Sequence, residues 1–360
     1  MSRYDIAIVG AGIVGATIAA ELAGQAGVLL LEGEDQPGYH STGRSAAFWS
    51  ETYGGPGIQP LTGASAAAFA AGGWLQPLGS LHIGRAEDEA RVDAFEAAFA
   101  GTAVQLERVD PAAHIPGLRP DWVFGVMEPT CAYIDVGGLH GAALGRAKRG
   151  GAALVTRARL EAAERRDGAW RLSTTAGRFE AGVLVNAAGA WADAVAALAG
   201  ARPLGIQPYR RTLVQLRTEP APPEGMAHVA DIAGRFYFKP EAGGKLWLSP
   251  HDETPVDPHD CAPEELDVAI AVDRFEGVVD WRVTAVERRW AGLRSFAPDR
   301  LPVYGFDPDV PGFFWAAGQG GFGIQTAPAA AELAACLLTG RGELPAGVDP
   351  ERYAPGRFVT

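Results

Sequence analysis

The sequence predicts an α/β protein built around a Rossmann-type dinucleotide-binding domain, and three adjacent features near its start carry that prediction. Residues 4–9 form a short apolar run with three β-branched members, as in a buried strand. A Gly-x-Gly-x-x-Gly motif occupies residues 10–15 and opens a stretch rich in Ala, Ile and Leu, which predicts a helix over residues 13–23. A second apolar run, residues 28–31, ends at Glu32. This order is the context in which the motif binds a dinucleotide.

Each position of the motif has a physical reason. Gly10 permits the tight turn, Gly12 allows the backbone to approach a pyrophosphate, and Gly15 lets the helix pack close to the strand. Val14 lies in the first turn of the helix, whose free N–H groups and positive dipole end favour phosphate. Glu32 lies 20 residues after Gly12, where its carboxylate can accept hydrogen bonds from both ribose hydroxyls and would repel a 2′-phosphate. The nucleotide is therefore expected to carry an unphosphorylated ADP moiety, as in FAD or NAD.

Composition excludes several classes of function. The 360 residues contain 31 Lys and Arg against 43 Asp and Glu, a net charge of −12, which argues against nonspecific nucleic-acid binding. Apolar runs are interrupted, by Asp193 and by Glu332 among others, so no transmembrane segment is expected. Cys131, Cys261 and Cys336 are an odd number and form no metal-binding pattern. We expect a cytoplasmic protein without a metal; peripheral contact with the inner membrane stays open.

The segment after the second strand favours FAD over NAD. Residues 39–47 form a loop rich in small and hydroxyl side chains, against which a flat ring system can lie. A nicotinamide enzyme would ordinarily continue with another βαβ unit, whereas this chain turns to residues rich in Gly, Ala and aromatics. Arg44 in this loop could meet the pyrophosphate or make a structural salt bridge.

Four segments resemble one family. Residues 40–47 resemble the flavin loop of the D-amino-acid oxidase family of FAD enzymes, which includes glycine oxidase and DadA-like enzymes; within it, the resemblance is nearest to bacterial D-arginine dehydrogenases. Residues 185–193 resemble the family's second nucleotide-domain strand and turn. Residues 290–295 resemble its substrate-arginine segment, and residues 318–326 its C-terminal flavin loop.

The resemblance implies how the chain is divided. The FAD-binding domain is expected to be discontinuous, and an inserted substrate domain, an antiparallel sheet, is expected to roof the flavin. The expected FAD-binding segments are 1–60, 140–205 and 290–345, the expected substrate-domain segments are 61–139 and 206–289, and residues 346–360 form a C-terminal tail. Strand-like runs at 212–216, 236–238 and 245–248 fit that sheet, and a helix is expected over 328–338.

The resemblance also implies the chemistry and its residues. The expected reaction is oxidation of an amine next to a carboxylate, with hydride transfer to flavin N5. Arg211 and Arg294 would bind the carboxylate, since the planar guanidinium forms bidentate pairs with carboxylates. Tyr53 and Tyr237 would line the site, and the backbone carbonyl of Gly321 would accept a hydrogen bond from the amine. No side-chain acid or base is required.

The expected cofactor is noncovalently bound FAD. The residues expected to contact it are Gly10, Gly12, Val14, Gly15, Glu32, Gly33, Ser41, Thr42, Gly43, Arg44, Ser45, Ala46, Ala47, Arg159, Gly189, Trp191, Gly320, Gly321, Phe322, Gly323, Ile324 and Gln325. Whether oxygen or a quinone reoxidises the flavin is left open by the sequence.

Two departures from the D-arginine dehydrogenase pattern limit the substrate. Phe48 stands where those enzymes have a histidine, and Ser80 where they have the acid that neutralises the substrate guanidinium. A buried cation without that partner is costly, so a neutral, apolar D-amino acid is expected and arginine a poor substrate. Three alternatives remain: a glycine-oxidase-like enzyme acting on N-substituted glycines or other secondary amines, a 2-hydroxy-acid dehydrogenase, and an FAD-binding protein without catalysis.

Overall fold

Two large β-sheets face each other in the computed structural model, which describes residues 2–358. The first sheet is the mixed sheet of the nucleotide-binding half, and the second is built mostly from antiparallel strands. Seven α-helices lie within the described residues. They are α1 (Ile13–Glu21), α2 (Gln59–Gly72), α3 (Glu89–Phe99), α4 (Val136–Arg149), α5 (Ala192–Leu198), α6 (Glu265–Glu276) and α7 (Ala327–Thr339). Short 3₁₀ turns cover residues 86–88, 111–113, 189–191, 350–353 and 355–358.

The first sheet has eight strands with β1 at its centre. They are β1 (Ser2–Val9), β2 (Val28–Leu31), β9 (Ala153–Val155), β10 (Leu160–Arg166), β11 (Ala169–Thr174), β12 (Gly177–Asn186), β19 (Val303–Phe306) and β20 (Phe313–Ala317). The order β20–β12–β1–β2–β9 is entirely parallel, and β10, β11 and β19 add antiparallel pairs at its sides. The predicted strand–turn–helix–strand unit is therefore present, with α1 ending two residues before the predicted position.

Apolar cores cover both faces of the first sheet. On one face Ile6, Ile8 and Leu30 pack with Ile18 of α1 and Leu333 of α7. The opposite face packs separately, around Trp170 and Trp315. A parallel sheet covered on both faces leaves the carboxyl ends of its strands as the natural place for a ligand.

The second sheet has ten strands. They are β5 (Ser80–Arg85), β6 (Glu107–Val109), β7 (Trp122–Glu128), β13 (Gln207–Glu219), β14 (His228–Asp231), β15 (Tyr237–Glu241), β16 (Lys245–Ser249), β17 (Thr254–Pro255), β18 (Arg282–Phe296) and β21 (Gln319–Gly320). Their order is β21–β18–β13–β16–β15–β14–β5–β7–β6, with β17 on β13. Except for the parallel β14–β5 pair, all pairings are antiparallel.

Alternation along β13 and β15 sends neighbouring side chains to opposite faces of the second sheet. Val214 and Phe238 pack in the core beneath α6, on the face away from the first sheet. Arg211 and Leu213 line the cleft on the other face. This period of two is what a strand imposes on successive side chains.

A third sheet has three short strands. It consists of β3 (Phe48–Trp49), β8 (Ala132–Ile134) and β4 (Leu75–Pro77), in that order. The long strand β18 pairs with β13 over residues 282–296, so it runs uninterrupted through residue 290, where we placed a domain boundary. Among residues 2–358, no helix combines the length and apolar character needed to cross a membrane.

Candidate active site

A cleft lies between the carboxyl ends of the central parallel strands and the second sheet. The turns after β1, β2 and β12 form one wall, and β13, β18 and the loop before α7 form the other. Of the residues expected to contact a dinucleotide, the lining includes Gly10, Gly12, Val14, Glu32, Ser41, Thr42, Arg44, Ser45, Ala46, Gly189, Trp191, Gly320, Gly321, Gly323 and Ile324. The cleft thus collects residues from all four segments that carry the family resemblance.

The glycine motif makes a turn that larger residues would block. Gly10 has φ +103°, and a Cβ there would lie 2.3 Å from the carbonyl oxygen of Ala187. A Cβ on Gly15 would lie 1.9 Å from the carbonyl oxygen of Gly10. A Cβ on Gly12 would meet Thr42 Oγ1 at 3.3 Å, on the side that lines the cleft. Gly10 and Gly15 therefore allow neighbouring backbone segments to approach closely, and Gly12 leaves the cleft without a side chain at this position.

Glu32 and Thr42 hold the backbone of the glycine turn through their side chains. Glu32 accepts hydrogen bonds from the N–H of Ala11 at 3.0 Å and from the N–H of Glu34 at 3.0 Å, one on each carboxylate oxygen. Thr42 Oγ1 accepts from the N–H of Ile13, the first residue of α1, at 3.0 Å. The acid is thereby held at the end of β2 and the loop is tied to the start of the helix.

The loop over residues 41–47 is held by the second sheet. Ser41 Oγ donates to the carbonyl of Leu293 at 2.7 Å. Arg44 forms an ion pair with Asp260 and donates to the carbonyls of Cys261 at 2.9 Å and Ala291 at 3.3 Å. Of the two roles considered for Arg44, the structure shows the salt bridge.

The remaining expected cofactor residues lie at the margins of this lining. Gly33 and Arg159 are exposed neighbours next to Glu32. Gly43 donates its N–H to the carbonyl of Gly38 at 2.8 Å, and the carbonyl of Ala47 accepts from Ile134 at 3.4 Å.

The residues present fit an FAD molecule. The cleft offers a glycine cradle, a helix N-terminus beside Gly12 and Val14, and a carboxylate on Glu32 for a ribose. The loop containing Ser45 and Ala46 gives a wall of small side chains further along. Among residues 2–358 no group of three or more His, Cys, Asp or Glu side chains is placed to hold a metal ion.

Two guanidinium groups project into the same end of the cleft. Arg211 is 2% exposed; its Nε donates to the carbonyl of Asp252 at 2.8 Å and its Nη2 to Glu253 at 3.1 Å. Its Nη1 is buried with no hydrogen-bond partner in the described structure. Burial, together with the neighbouring charge of Arg294, lowers the pKa of Arg211 to about 10.

Arg294 meets the tyrosines and the glycine loop. Its Nη2 lies 3.4 Å from the hydroxyl of Tyr237, and its guanidinium lies 5.7 Å from the ring centre of Tyr53. A Cβ built on Gly321 would lie 2.3 Å from the Tyr53 hydroxyl and 3.1 Å from Arg294 Nη1. Four of the expected substrate residues therefore converge on one point, and burial raises the pKa of the Tyr53 phenol so that it stays a hydrogen-bond donor.

Phe48 forms an aromatic wall beside this point. Its ring centre lies 5.3 Å from that of Tyr53, 6.2 Å from that of Tyr237 and 4.4 Å from that of His228. Ser80 lies behind this wall: it is 1% exposed and its Oγ is 2.9 Å from His228 Nδ1. Phe322 packs on the other side, with its ring centre 4.9 Å from that of Tyr53.

Two histidines near the site were missed by the sequence analysis. His228 is buried beside Phe48, and burial lowers its pKa well below the usual value. His251 lies 5.8 Å from the Tyr237 ring; burial and the charges of Arg211 and Arg294 lower its pKa to about 3. His228 lies on β14 and His251 in the loop after β16, and no sequence motif marks either of them.

The glycine turn, the acidic strand end and the helix N-terminus between them are those of a dinucleotide-binding fold, and two guanidinium groups lie at one end of its cleft. The chain belongs to the FAD dependent oxidoreductase family, whose model matches residues 5–337.

Individual relatives are distant and longer than the matched region. Glycine oxidase of Pseudomonas aeruginosa is 28% identical over 191 residues, 51% of this chain and 48% of that protein. The HcnC subunit of hydrogen cyanide synthase from the same species is 28% identical over 159 residues, 42% of this chain and 35% of that protein. The bifunctional ThiO/ThiG protein of Synechocystis is 26% identical over 99% of this chain and 54% of its own length. The chain therefore spans about a third to a half of these curated relatives.

Solved structures match over the full chain. Glycine oxidase from Geobacillus kaustophilus has a TM-score of 0.84 at 25% identity, covering 99% of both chains. L-proline dehydrogenase from P. horikoshii has a TM-score of 0.85 at 23% identity, covering 99% of this chain and 98% of its own, and shows the fold alone.

Proposed function

We propose that this protein uses noncovalently bound FAD to oxidise the CH–NH bond of a small neutral amino acid, with D-amino acids as the first candidates. The observation that carries the proposal is the pair formed by the buried Arg211 and the half-buried Arg294, which faces the glycine loop at Gly321. Family membership supplies the cofactor class, and the arginine pair supplies the substrate head group.

The charge balance at this point calls for an anion. Glu253 is shared between Arg211 and Arg300, whose Nη2 lies 2.8 Å from the same carboxylate. Arg294 has no carboxylate within 4.0 Å among the described residues. Buried positive charge is stable when it is paired, and a guanidinium pairs with a carboxylate through two parallel hydrogen bonds. The vacant Nη1 of Arg211 and the side chain of Arg294 are the groups that we assign to a substrate carboxylate.

The surrounding residues orient the rest of the substrate. When the substrate carboxylate is bound by Arg211 and Arg294, the Tyr53 hydroxyl donates a further hydrogen bond to it. The carbonyl of Gly321 accepts a hydrogen bond from the neutral amine of the substrate. When bound, FAD supplies the two-electron acceptor for the α-carbon hydride. The protein needs no acid or base side chain for this role because the amine can react in its neutral form.

The side-chain pocket supports a neutral substrate. Its nearest wall is the ring of Phe48. The hydroxyl of Ser80, behind that ring, is hydrogen-bonded to His228. Glu128, which lies opposite Ser80 on the neighbouring strand, already accepts hydrogen bonds from residues 50–52, so a cationic side chain placed here would be buried without a free acidic partner, which costs several kcal/mol. We therefore expect leucine-, methionine- or phenylalanine-like substrates to be preferred to arginine.

A second candidate is oxidation of glycine or N-substituted glycines. The full-length structural likeness to glycine oxidase favours it. The carboxylate clamp suits both substrate classes equally and therefore does not separate them. The two candidates differ in what fills the space beside Phe48.

A substrate panel tests both candidates. Purified holoenzyme is mixed anaerobically with D-Leu, D-Met, D-Phe, D-Arg, the L-enantiomers, glycine and sarcosine, and bleaching of the flavin absorption is followed. We expect the neutral D-amino acids to reduce the flavin fastest. Fastest reduction by sarcosine or glycine supports the second candidate, and fastest reduction by D-Arg contradicts the pocket argument. A flavin that none of these compounds reduces contradicts both.

A further inference from the structure

We infer that Glu128 is a positioning residue for Tyr53, through which the second sheet sets the geometry of the carboxylate site. Glu128 is the last residue of β7, and its side chain is fully buried. It is not one of the carboxylates that pair with Arg211. The inference rests on the proposed function, since it assigns to Glu128 the placement of the tyrosine that binds the substrate carboxylate.

Three short hydrogen bonds tie Glu128 to the residues just before Tyr53. One carboxylate oxygen accepts from the N–H of Glu51 at 2.7 Å. The other accepts from Ser50 Oγ at 2.8 Å and from Thr52 Oγ1 at 2.6 Å. Residues 50–52 form the connection between β3 and Tyr53, so the carboxylate fixes the backbone that aims the phenol.

The charge on Glu128 is maintained despite its burial. Burial alone would raise the pKa of this carboxyl, but the neighbouring His82 imidazole and the hydrogen bonds from Thr52 and Ser50 outweigh it and leave the pKa below its usual value. His82 Nε2 lies 3.9 Å from the carboxylate. A glutamine in this place would keep one oxygen for the Glu51 N–H, but it would lose the charge and turn its NH₂ group toward the Ser50 and Thr52 hydroxyls, which would have to rotate from donating to accepting.

A second residue holds Tyr53 from the opposite side. Gln325, two residues before α7, donates from Nε2 to the carbonyl of Tyr53 at 3.0 Å and to Thr62 Oγ1 at 2.9 Å. Its Oε1 accepts from the N–H of Ser50 at 3.4 Å. The segment that carries Tyr53 is therefore held between the second sheet and the loop before α7, and Glu128 supplies the charged side of this clamp.

A double-mutant cycle separates positioning from general support of the fold. The holoenzyme and its Glu128→Gln, Tyr53→Phe and doubly substituted variants are titrated with 4-methylpentanoate, which is leucine without its amine, and the flavin spectrum is followed. Tyr53→Phe removes one hydrogen bond and is expected to weaken binding roughly 2- to 10-fold. We expect Glu128→Gln to weaken it by a similar factor in the wild-type background and by less than twofold in the Tyr53→Phe background.

Two further variants keep the test decisive. Asp231→Asn is the matched control: Asp231 is also a buried acid of the second sheet, but it pairs with Arg235, and we expect affinity for 4-methylpentanoate to be unchanged. Ser50→Ala removes one bond to the carboxylate and serves if Glu128→Gln does not fold; we expect a smaller loss that also disappears without the Tyr53 hydroxyl.

The outcomes distinguish this inference from the proposed function. An equal loss for Glu128→Gln in both backgrounds, or an equal loss for Asp231→Asn, overturns the inference and leaves the proposed function standing if Tyr53→Phe weakens binding. No effect of Tyr53→Phe overturns the inference and the assigned role of Tyr53 together. If 4-methylpentanoate fails to bind any variant, including the wild type, the proposed site for a carboxylate with an apolar side chain is wrong.

Discussion

Arg210 and Arg211 are adjacent on β13, but their side chains lie on opposite faces of the sheet and have different partners. Arg210 faces α6, where it pairs with Glu264 and, at 2.8 Å, with Asp267. Arg211 faces the cleft. The pair gives a matched comparison, because both guanidinium groups are buried on the same strand.

Arg211→Met is expected to raise KM for the best substrate about 10- to 100-fold, because hydrogen bonds to charged groups contribute about 1.5–3 kcal/mol. Glu253 and Asp252 keep their contacts with Arg300 and Thr212, so the substitution should not orphan a charge. Steady-state kinetics measures the effect. Arg210→Met is the control, expected to lower Tm and to leave KM unchanged; an equal rise in KM for both variants would contradict the assignment.

At the residue scale, the sequence identified the charged groups and missed the histidines. Tyr237 lies between Phe236 and Phe238, and the pattern alone would put all three in a core. Strand alternation instead sends Phe236 and Phe238 beneath α6 and leaves Tyr237 beside Arg294. His228 and His251 could not be found from sequence because long-range contacts bring them beside Tyr237: His228 lies on β14, which pairs with β15, and His251 lies in the loop after β16.

Among the elements, α1 is tied at its first residue to the loop that follows β2. The side chain of Thr42 accepts a hydrogen bond from the first N–H of this helix, the Ile13 amide, although it is distant in sequence. The first-turn N–H groups have no partners within the helix, so such a contact stabilises the helix start.

Thr42→Ala is expected to lower the free energy of unfolding by about 1 kcal/mol, the usual value of a side-chain contact at a helix start, and to weaken FAD binding because the loop is no longer tied to α1. Calorimetry and titration of the apoprotein with FAD measure the two effects. Thr102→Ala is a suitable control, since Thr102 makes a comparable hydrogen bond to the carbonyl of Phe99 after α3. Unchanged FAD affinity in the Thr42 variant would show that the loop is held by its other contacts.

At the element scale, the long periodic segments were predictable and the short ones were not. The helix expected over 328–338 is α7, and the strand expected over 212–216 is the middle of β13. Two-residue strands such as β3 have no pattern long enough to detect. The full length of β18 was missed because its first half is exposed and alternation there is masked by charged residues.

The whole molecule should lose stability in mild acid, through its buried histidines. An unfolded His has a pKa of about 6.5, whereas His251 in the fold has a pKa of about 3. Between these values the unfolded chain binds a proton that the folded chain does not, so the free energy of unfolding falls as the pH drops from about 6.5 toward 3. His228, whose folded pKa is also lowered, acts in the same direction.

His251→Asn should reduce this pH dependence, and asparagine tolerates the left-handed φ of +55° at this position. Urea unfolding at several pH values from 7.5 to 4.5 measures it. His259→Asn, at an exposed histidine, is expected to keep the wild-type dependence. Identical curves for His251→Asn and wild type would mean that the pKa of His251 is the same in the folded and unfolded states.

The division of the molecule was only partly readable from the chain. The glycine motif predicted the central strands because its function depends on local spacing. The second sheet joins strands from residues 80–128, 207–255, 282–296 and 319–320, and no local pattern encodes which of these lie side by side. Its face toward the cleft, and with it the Glu128 contact to residues 50–52, follows from that long-range order.

The opposite orientations of Arg210 and Arg211 make β13 sensitive to changes in length. One residue inserted between Gln207 and Arg210 would reverse the facing of these side chains if pairing with β18 upstream were kept. Arg210 would then enter the cleft and Arg211 would meet Glu264 and Asp267. In related chains, substitutions along this strand should therefore accumulate far more readily than insertions or deletions.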